Sequence, residues 1–325
     1  MSVDPTRRPR TPSEIVAGVL AGDRRAVARA ISLLEDGAAD AAPVIRDLWP
    51  HTGRAISAGL TGPPGVGKST LASALVAHLR AAERTIGVIS VDPSSPFTSG
   101  ALLGDRIRLS EHFLDPGVYI RSMASRGHLG GLAEATFLAL RVLDAAGRDV
   151  VLIETVGVGQ SEIEVASVVD IVVLVLQPGS GDSVQALKAG VMEIPDIICI
   201  NKKDHPEAKA MRSELRHALS LTPAGVRPTV VETDARSGEG IAELWAAVEE
   251  RRALLGEEGL EARRRASLER ELRTVAVARA AAVIERTLHE RATDLVRRLE
   301  ARDVDPLAAV GELFAAAFED ARQSV

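Results

Sequence analysis

The segment GPPGVGKST, residues 62–70, places three glycines, a lysine and two hydroxyls at the spacing of a polyphosphate grip. It satisfies G-x-x-x-x-G-K-[ST] and stands between a short apolar run and an amphipathic helical stretch, the context in which that motif carries meaning. Gly62, Gly65 and Gly67 permit backbone N–H groups to converge on one concavity, and the helix that follows adds the partial positive charge of its N-terminus. Lys68 is placed to reach the β- and γ-phosphates, and Ser69 to ligate Mg²⁺. The candidate loop therefore comprises Gly62, Pro63, Pro64, Gly65, Val66, Gly67, Lys68, Ser69 and Thr70. A chance glycine-rich turn is the bland alternative, and it leaves the lysine and the hydroxyls unexplained.

A second element decides which base is read. IICINKKD, 197–204, is an apolar strand running into Asn201-Lys202-x-Asp204. A carboxylate at Asp204 can accept both guanine N1–H and the exocyclic N2–H, a paired face that adenine does not offer. The Lys202 stem packs over the ring, and Asn201 ties the loop together. N-K-x-D alone is a common tetrapeptide, but here it ends a buried strand downstream of a phosphate loop. Capping of the next helix by Asn and Asp is the plainer alternative. TVVETDA then offers Thr233, Asp234 and Ala235 where a backbone N–H would meet guanine O6. Asp234 is unusual there, because a carboxylate near O6 is unwelcome unless it points away. GTP and GDP are the expected ligands.

Three carboxylates are candidates to hold Mg²⁺ with Ser69: Asp92 in VDPSS, Asp105 in LLGDRIRL and Glu154 in ETVGVGQSE. Asp92 and Glu154 stand at strand ends, the ligand crevice of an open α/β sheet. Asp105 reads equally well as a helix cap. Mg²⁺ keeps several waters beside one or two carboxylates, so a longer Glu can serve through water. Segment 154–162 lies where nucleotide hydrolases usually carry Asp-x-x-Gly-Gln, the Gln orienting the attacking water. Here Glu154 replaces Asp, Gly157 can offer its N–H to a γ-phosphate, Val158 follows, and Gln160 comes three residues after the glycine. The expectation is slow intrinsic hydrolysis, completed by a rearranged loop or by a partner.

Positioning these groups requires a sheet. From residue 55 short Val/Ile-rich runs alternate with amphipathic helical stretches, which predicts a P-loop NTPase fold with a mostly parallel, doubly wound sheet in a domain over 51–256. Ahead of it, SEIVAGVLAGDRRAVARAISLLED predicts two short helices broken at Gly22, within an N-terminal helical extension over 1–50. Beyond 256 the strand signal stops. Leu268, Leu272, Val275, Ile284, Leu288, Leu295 and Leu299 recur at helical spacing, and a second helix follows at PLAAVGELFAAAFEDA. Residues 257–325 are thus expected to form a helical arm that buries its stripe on its own core or on a second subunit, making a homodimer.

The bulk numbers exclude several classes. Across 325 residues the net charge is −6, which gives no footprint for nucleic acid or an anionic membrane. The longest aliphatic run, IVVLVL, is far short of the ~20 residues of a membrane span. The N-terminus has no apolar signal core, and Cys199 is the single cysteine, so a cytoplasmic, reducing setting is expected. With one Cys and seven His, the closest His pair 12 apart (217 − 205), a GTP-dependent nickel-delivery protein has no ligand cluster to work with.

Taken together, AGDRRAVARAISLLED, GPPGVGKST, VDPSSPFTSGALLGDRIRL, SRGHLGGL, ETVGVGQSE, LQPGSGDSVQALKAGVMEIPDI and NKKD resemble the MeaB/ArgK-type GTPases over nearly the whole chain. The resemblance implies a homodimeric GTPase chaperone that gates adenosylcobalamin loading and protects methylmalonyl-CoA mutase or a related mutase. It also implies an additional switch at 178–188, where Asp182, Gln185 and Lys188 are suited to swing toward nucleotide or mutase, Lys188 in the role of an arginine finger. Arg126 and His128 are further switch candidates. Members have also been described as kinases or ATPases accessory to amino-acid (arginine/ornithine) transport, an alternative that would prefer ATP and that N-K-x-D opposes.

Overall fold

The computed structural model describes residues 10–92, 109–124, 131–155, 168–179, 195–220 and 227–323. Three helices precede the sheet: α1 (Pro12–Leu20), α2 (Arg24–Glu35) and α3 (Ala41–Leu48). Thr11 and Glu14 close a capping box on α1, each side chain accepting the other's N–H, at 2.7 and 3.3 Å. Gly22, at φ 71, makes the turn expected from the sequence, and Asp23 caps α2 by accepting the Arg25 and Ala26 N–H groups. The third helix is an addition to the two expected.

Among the described residues seven strands follow: β1 (Ile56–Thr61), β2 (Ile86–Asp92), β3 (Val118–Ala124), β4 (Val150–Thr155), β5 (Ile171–Leu176), β6 (Ile197–Ile200) and β7 (Thr229–Glu232). They form one sheet in the order β3-β2-β4-β1-β5-β6-β7, with every pairing parallel. Every residue of β1, β4 and β5 is buried, which is why β4 and β5 read as near-continuous Val/Ile/Leu runs and not as alternating ones, while β1 is lined by the small residues Ser57, Ala58 and Gly59.

Among the described residues the helices that flank the sheet are α4 (Lys68–Ala81), α5 (Gly131–Ala145), α6 (Ala208–Ser220) and the start of α7 (Ile241–Glu300), which follows the last strand. On one face of the sheet, Ile31, Val44, Phe137 and Leu143 pack on Ile89, Val151 and Ile153. On the other, Leu71, Leu75 and Leu79 of α4 and Leu244 and Trp245 of α7 cover Ile56, Leu60, Val88 and Leu152. Alternation along β4 therefore sends Glu154 to the α4 face.

The chain divides into two compact units, Met1–Glu269 and Arg270–Val325. Helix α7 is interrupted inside the first unit at Gly256 (φ 62, ψ −176), a left-handed conformation that glycine adopts without steric cost. In the second unit, α8 (Pro306–Gln323) packs on the last turns of α7 through Leu295, Ala309 and Leu313, beside a bidentate Arg298–Glu312 pair at 2.7 and 2.9 Å. Among the described residues no helix is long and apolar enough to cross a membrane.

Candidate functional site

The phosphate-loop sequence leaves the C-terminal end of β1, at the centre of the sheet, and enters α4 at Lys68. Gly67 takes φ 97 and no side chain caps the helix, so its first N–H groups stay available to an anion. Two glycines are required by close approach. A Cβ on Gly62 (φ 136) would stand 2.1 Å from the Val175 carbonyl oxygen, and one on Gly67 would stand 2.5 Å from Asn201 Nδ2. Lys68 and Ser69 are buried at the mouth of the loop, and the Lys68 ammonium donates to the Gly62 carbonyl and, at 2.9 Å, to that of Pro63.

The turn after β6 is joined to this loop by Asn201. Its Nδ2 donates to the Val66 carbonyl at 2.9 Å, while its Oδ1 accepts from Ala235 N at 3.1 Å and from the Thr233 hydroxyl at 3.2 Å. One buried amide thus ties together three segments up to 169 residues apart (235 − 66), and it satisfies its own polar groups in doing so. Lys202, at φ 60, reaches back to the Gly65 carbonyl at 3.1 Å and to Gln177 Oε1. Lys203 N donates to Thr233 O at 3.0 Å, and the Lys203 side chain pairs with Glu239, so the N-K-x-D turn and the Thr233–Ala235 loop are stapled twice. Asp204 is exposed and makes no hydrogen bond to another described residue, leaving both carboxylate oxygens open as acceptors.

The departure at Asp234 has a local account. Its carboxylate accepts from Arg236 N at 3.1 Å, turned into its own loop. Hydrogen bonding from Ser237, then from the Arg236 N–H, holds its carboxyl below the ordinary value. Its backbone N–H is committed to Glu239 O at 2.9 Å. Behind the loop, burial pushes the Cys199 thiol up to about 12, and its sulfur lies 3.2 Å from the Thr233 hydroxyl, a packed core position with no nucleophilic character.

Glu154 is fully buried on the α4 face at the end of β4, in register with Leu60 of β1 and Ser90 of β2. The Ser90 hydroxyl donates to its Oε1 at 2.6 Å. The last residue of β2, Asp92, brings its backbone to the same edge of the sheet. Asp105, Gly157, Gln160, Lys188, Asp182, Gln185, Arg126 and His128 lie outside the described residues. A cleft of ≈ 600 Å³ runs from Thr70 and Ser73 to Ala235 and Gly238, flanking both the phosphate loop and the base loop. Sequence reasoning missed Gln177, Lys203, Glu239 and Ser90. Only Ser90 and Gln177 carried a usable signal, as polar residues at or just past the ends of apolar strands.

A phosphate loop leaving the central strand of a parallel sheet, locked to an N-K-x-D turn two strands away, defines a P-loop GTPase. Within that class the chain belongs to the MeaB family: residues 27–291 match the family described as methylmalonyl Co-A mutase-associated GTPase MeaB. A Pyrococcus abyssi protein named as a GTPase is 48% identical over 303 residues, covering 91% of this chain and 94% of its own. GTPase ArgK of Escherichia coli is 36% identical over 248 residues, covering 73% and 75%. The mouse mitochondrial methylmalonic aciduria type A homolog is 42% identical over 198 residues, 59% of this chain and 48% of its own. The crystal structure of an LAO/AO transport system kinase superposes with a TM-score of 0.68 at 25% identity, over 94% of this chain and 97% of that one. The chain is accordingly a guanine-nucleotide-binding GTP hydrolase.

Proposed function

We propose that this GTPase is a chaperone for an adenosylcobalamin-dependent mutase, methylmalonyl-CoA mutase being the first candidate client, and that it gates cofactor loading and protects the loaded enzyme. One observation carries the assignment: the match over residues 27–291 to a family described by its association with that mutase. A cytoplasmic setting and a homodimer complete the proposal. The exposed Leu272, Val277 and Leu288 of α7 and Leu307, Phe314 and Phe318 of α8 favour a second copy as the cover of that arm.

In this proposal the N–H groups of residues 65–70 cradle the phosphates, and the Lys68 ammonium exchanges the Gly62 and Pro63 carbonyls for phosphate oxygens. Asn201, Lys202 and Asp204 read guanine, while the Thr233, Asp234 and Ala235 N–H groups are spent on Ile200 O, Glu239 O and Asn201 Oδ1, so that loop braces the turn and has no uncommitted backbone donor for guanine O6. The Ser69 hydroxyl and the Glu154 carboxylate are hard oxygen donors, the chemistry that suits Mg²⁺, and Asp92 and Asp105 are proposed to join them. Mg²⁺, when bound, neutralises charge on the β- and γ-phosphates. Ser90 keeps Glu154 oriented toward the α4 face. Gly157 and Lys188 are proposed to meet the γ-phosphate and the transition-state charge.

The similarity to a structure described as a transport-system kinase favours a second reading, an ATP-consuming accessory of amino-acid transport. Steady-state hydrolysis of GTP and ATP by the purified protein, with and without methylmalonyl-CoA mutase, separates the two. Slow GTP turnover that the mutase accelerates, with ATP ignored, supports the chaperone. Preference for ATP sinks it, and indifference to methylmalonyl-CoA mutase reopens the transport reading or points to another cobalamin enzyme as client.

A further inference from the structure

The Lys202 ammonium joins three segments of the chain. It belongs to the turn after β6, donates to Gly65 O in the phosphate loop at 3.1 Å, and donates to Gln177 Oε1 just past β5. The two acceptors differ in setting. The Gly65 contact is exposed to water, whereas the Gln177 contact is partly buried, so water competes less for it. Gln177 is held beside Lys202 by the sheet itself: β5 and β6 pair in parallel up to Leu176 and Ile200, and Asn201 N donates to Leu176 O at 2.8 Å. Lys202 sits at φ 60, a conformation that a non-glycine residue keeps only where its surroundings hold it.

We infer that Gln177 is a positioning residue for guanine recognition, holding Lys202 extended so that its methylene stem forms a ready platform for the base. The inference rests on residues 201–204 being the base-reading turn. A free lysine stem has four rotatable bonds to immobilise when the base arrives. Fixing Nζ beforehand removes much of that cost, so affinity rises without a new contact to the ligand. Gln177 itself need not touch the nucleotide.

The test is a binding cycle on the full-length protein with a fluorescent GDP analogue, reading equilibrium affinity and dissociation rate. Q177L, which keeps bulk and loses the acceptor oxygen, is expected to weaken binding about tenfold, mostly through faster dissociation. Q177E keeps an acceptor and is expected to stay within about threefold of the native protein. In a K202A background, Q177L is expected to add nothing. Native-like affinity of Q177L overturns the inference, as does an equal loss with Lys202 already removed. If K202A alone binds like the native protein, the base-turn assignment fails as well, and that outcome is recognised from the single variant. Should Q177L not fold, Q177M reads the same cycle.

Discussion

The two edges of the sheet are built from similar residues and left in opposite states. At the C-terminal edge stand the uncapped start of α4, the open carboxylate of Asp204 and a loop whose glycines clear space. At the N-terminal edge three buried aspartates are consumed. Asp144 accepts the N–H groups of Arg54 and Ala55 at 3.1 and 2.9 Å. Asp170 takes Ser57 N and a two-pronged contact from Arg264 at 2.9 and 3.0 Å. Asp196 takes Val172 N, two bonds from Arg263 at 2.7 Å and one from Arg251 at 3.0 Å. Saturation at one edge makes a rigid base, and unspent hydrogen-bonding capacity at the other makes a site. Charge alone would not have told them apart; the count of partners does.

The contrast can be broken at the open edge first. Lys68→Ala is expected to lower GTP turnover about a thousandfold while circular dichroism stays native, since the lysine serves the ligand and its bonds to the Gly62 and Pro63 carbonyls belong to the loop, not to a helix or the sheet ladder. Asp204→Asn comes next: GDP affinity is expected to fall about a hundredfold and xanthine nucleotide to bind better, because the amide NH2 donates where guanine N2–H also donates, whereas xanthine presents a carbonyl there. A melting curve within a few degrees of native should accompany both.

At the saturated edge the expected pattern inverts. Arg264→Ala strands Asp170, 4% exposed, and is expected to cost about 2–3 kcal/mol in denaturant unfolding with GDP affinity unchanged. A loss of affinity larger than twofold would mean that the two edges are coupled. The smallest effect concerns pH. Burial alone would raise the Asp196 carboxyl, but Arg263, the Val172 N–H and Arg251 outweigh it and hold it below 3.8. A depressed folded value contributes stability that is complete above the unfolded value and lost as pH falls through the folded one. Acid unfolding below about pH 4 should therefore be shallower in Asp196→Asn, measured by fluorescence against pH.

Much of the open edge was legible in sequence because it consists of short local motifs. Gly62 to Thr70 and Asn201 to Asp204 announce themselves by spacing, and apolar runs such as IVVLVL and IICI coincide with β5 and β6. Bonds made by distant residues were not legible. Nothing around Asn201 states that its amide will cross to Val66, and nothing in EARRRAS marks Arg263 and Arg264 as different from Arg265, whose side chain is 84% exposed and pairs with Glu269 on its own helix. Arginines on a helix look alike until the sheet decides which of them meet an aspartate. The strand order was hidden for the same reason, since it depends on crossovers and not on local preference.

That strand order has a consequence for synthesis on the ribosome. β4 lies between β1 and β2, so the first two strands emerge as neighbours in time but never as partners in space. The phosphate loop acquires both flanking strands only once residue 176 has been made, and its lock from Asn201 to Val66 and Ala235 only once residue 235 is clear of the exit tunnel. A nascent chain can thus display the whole of residues 62–70 while remaining unable to grip a nucleotide, and GTP becomes a ligand only after most of the first compact unit has been translated.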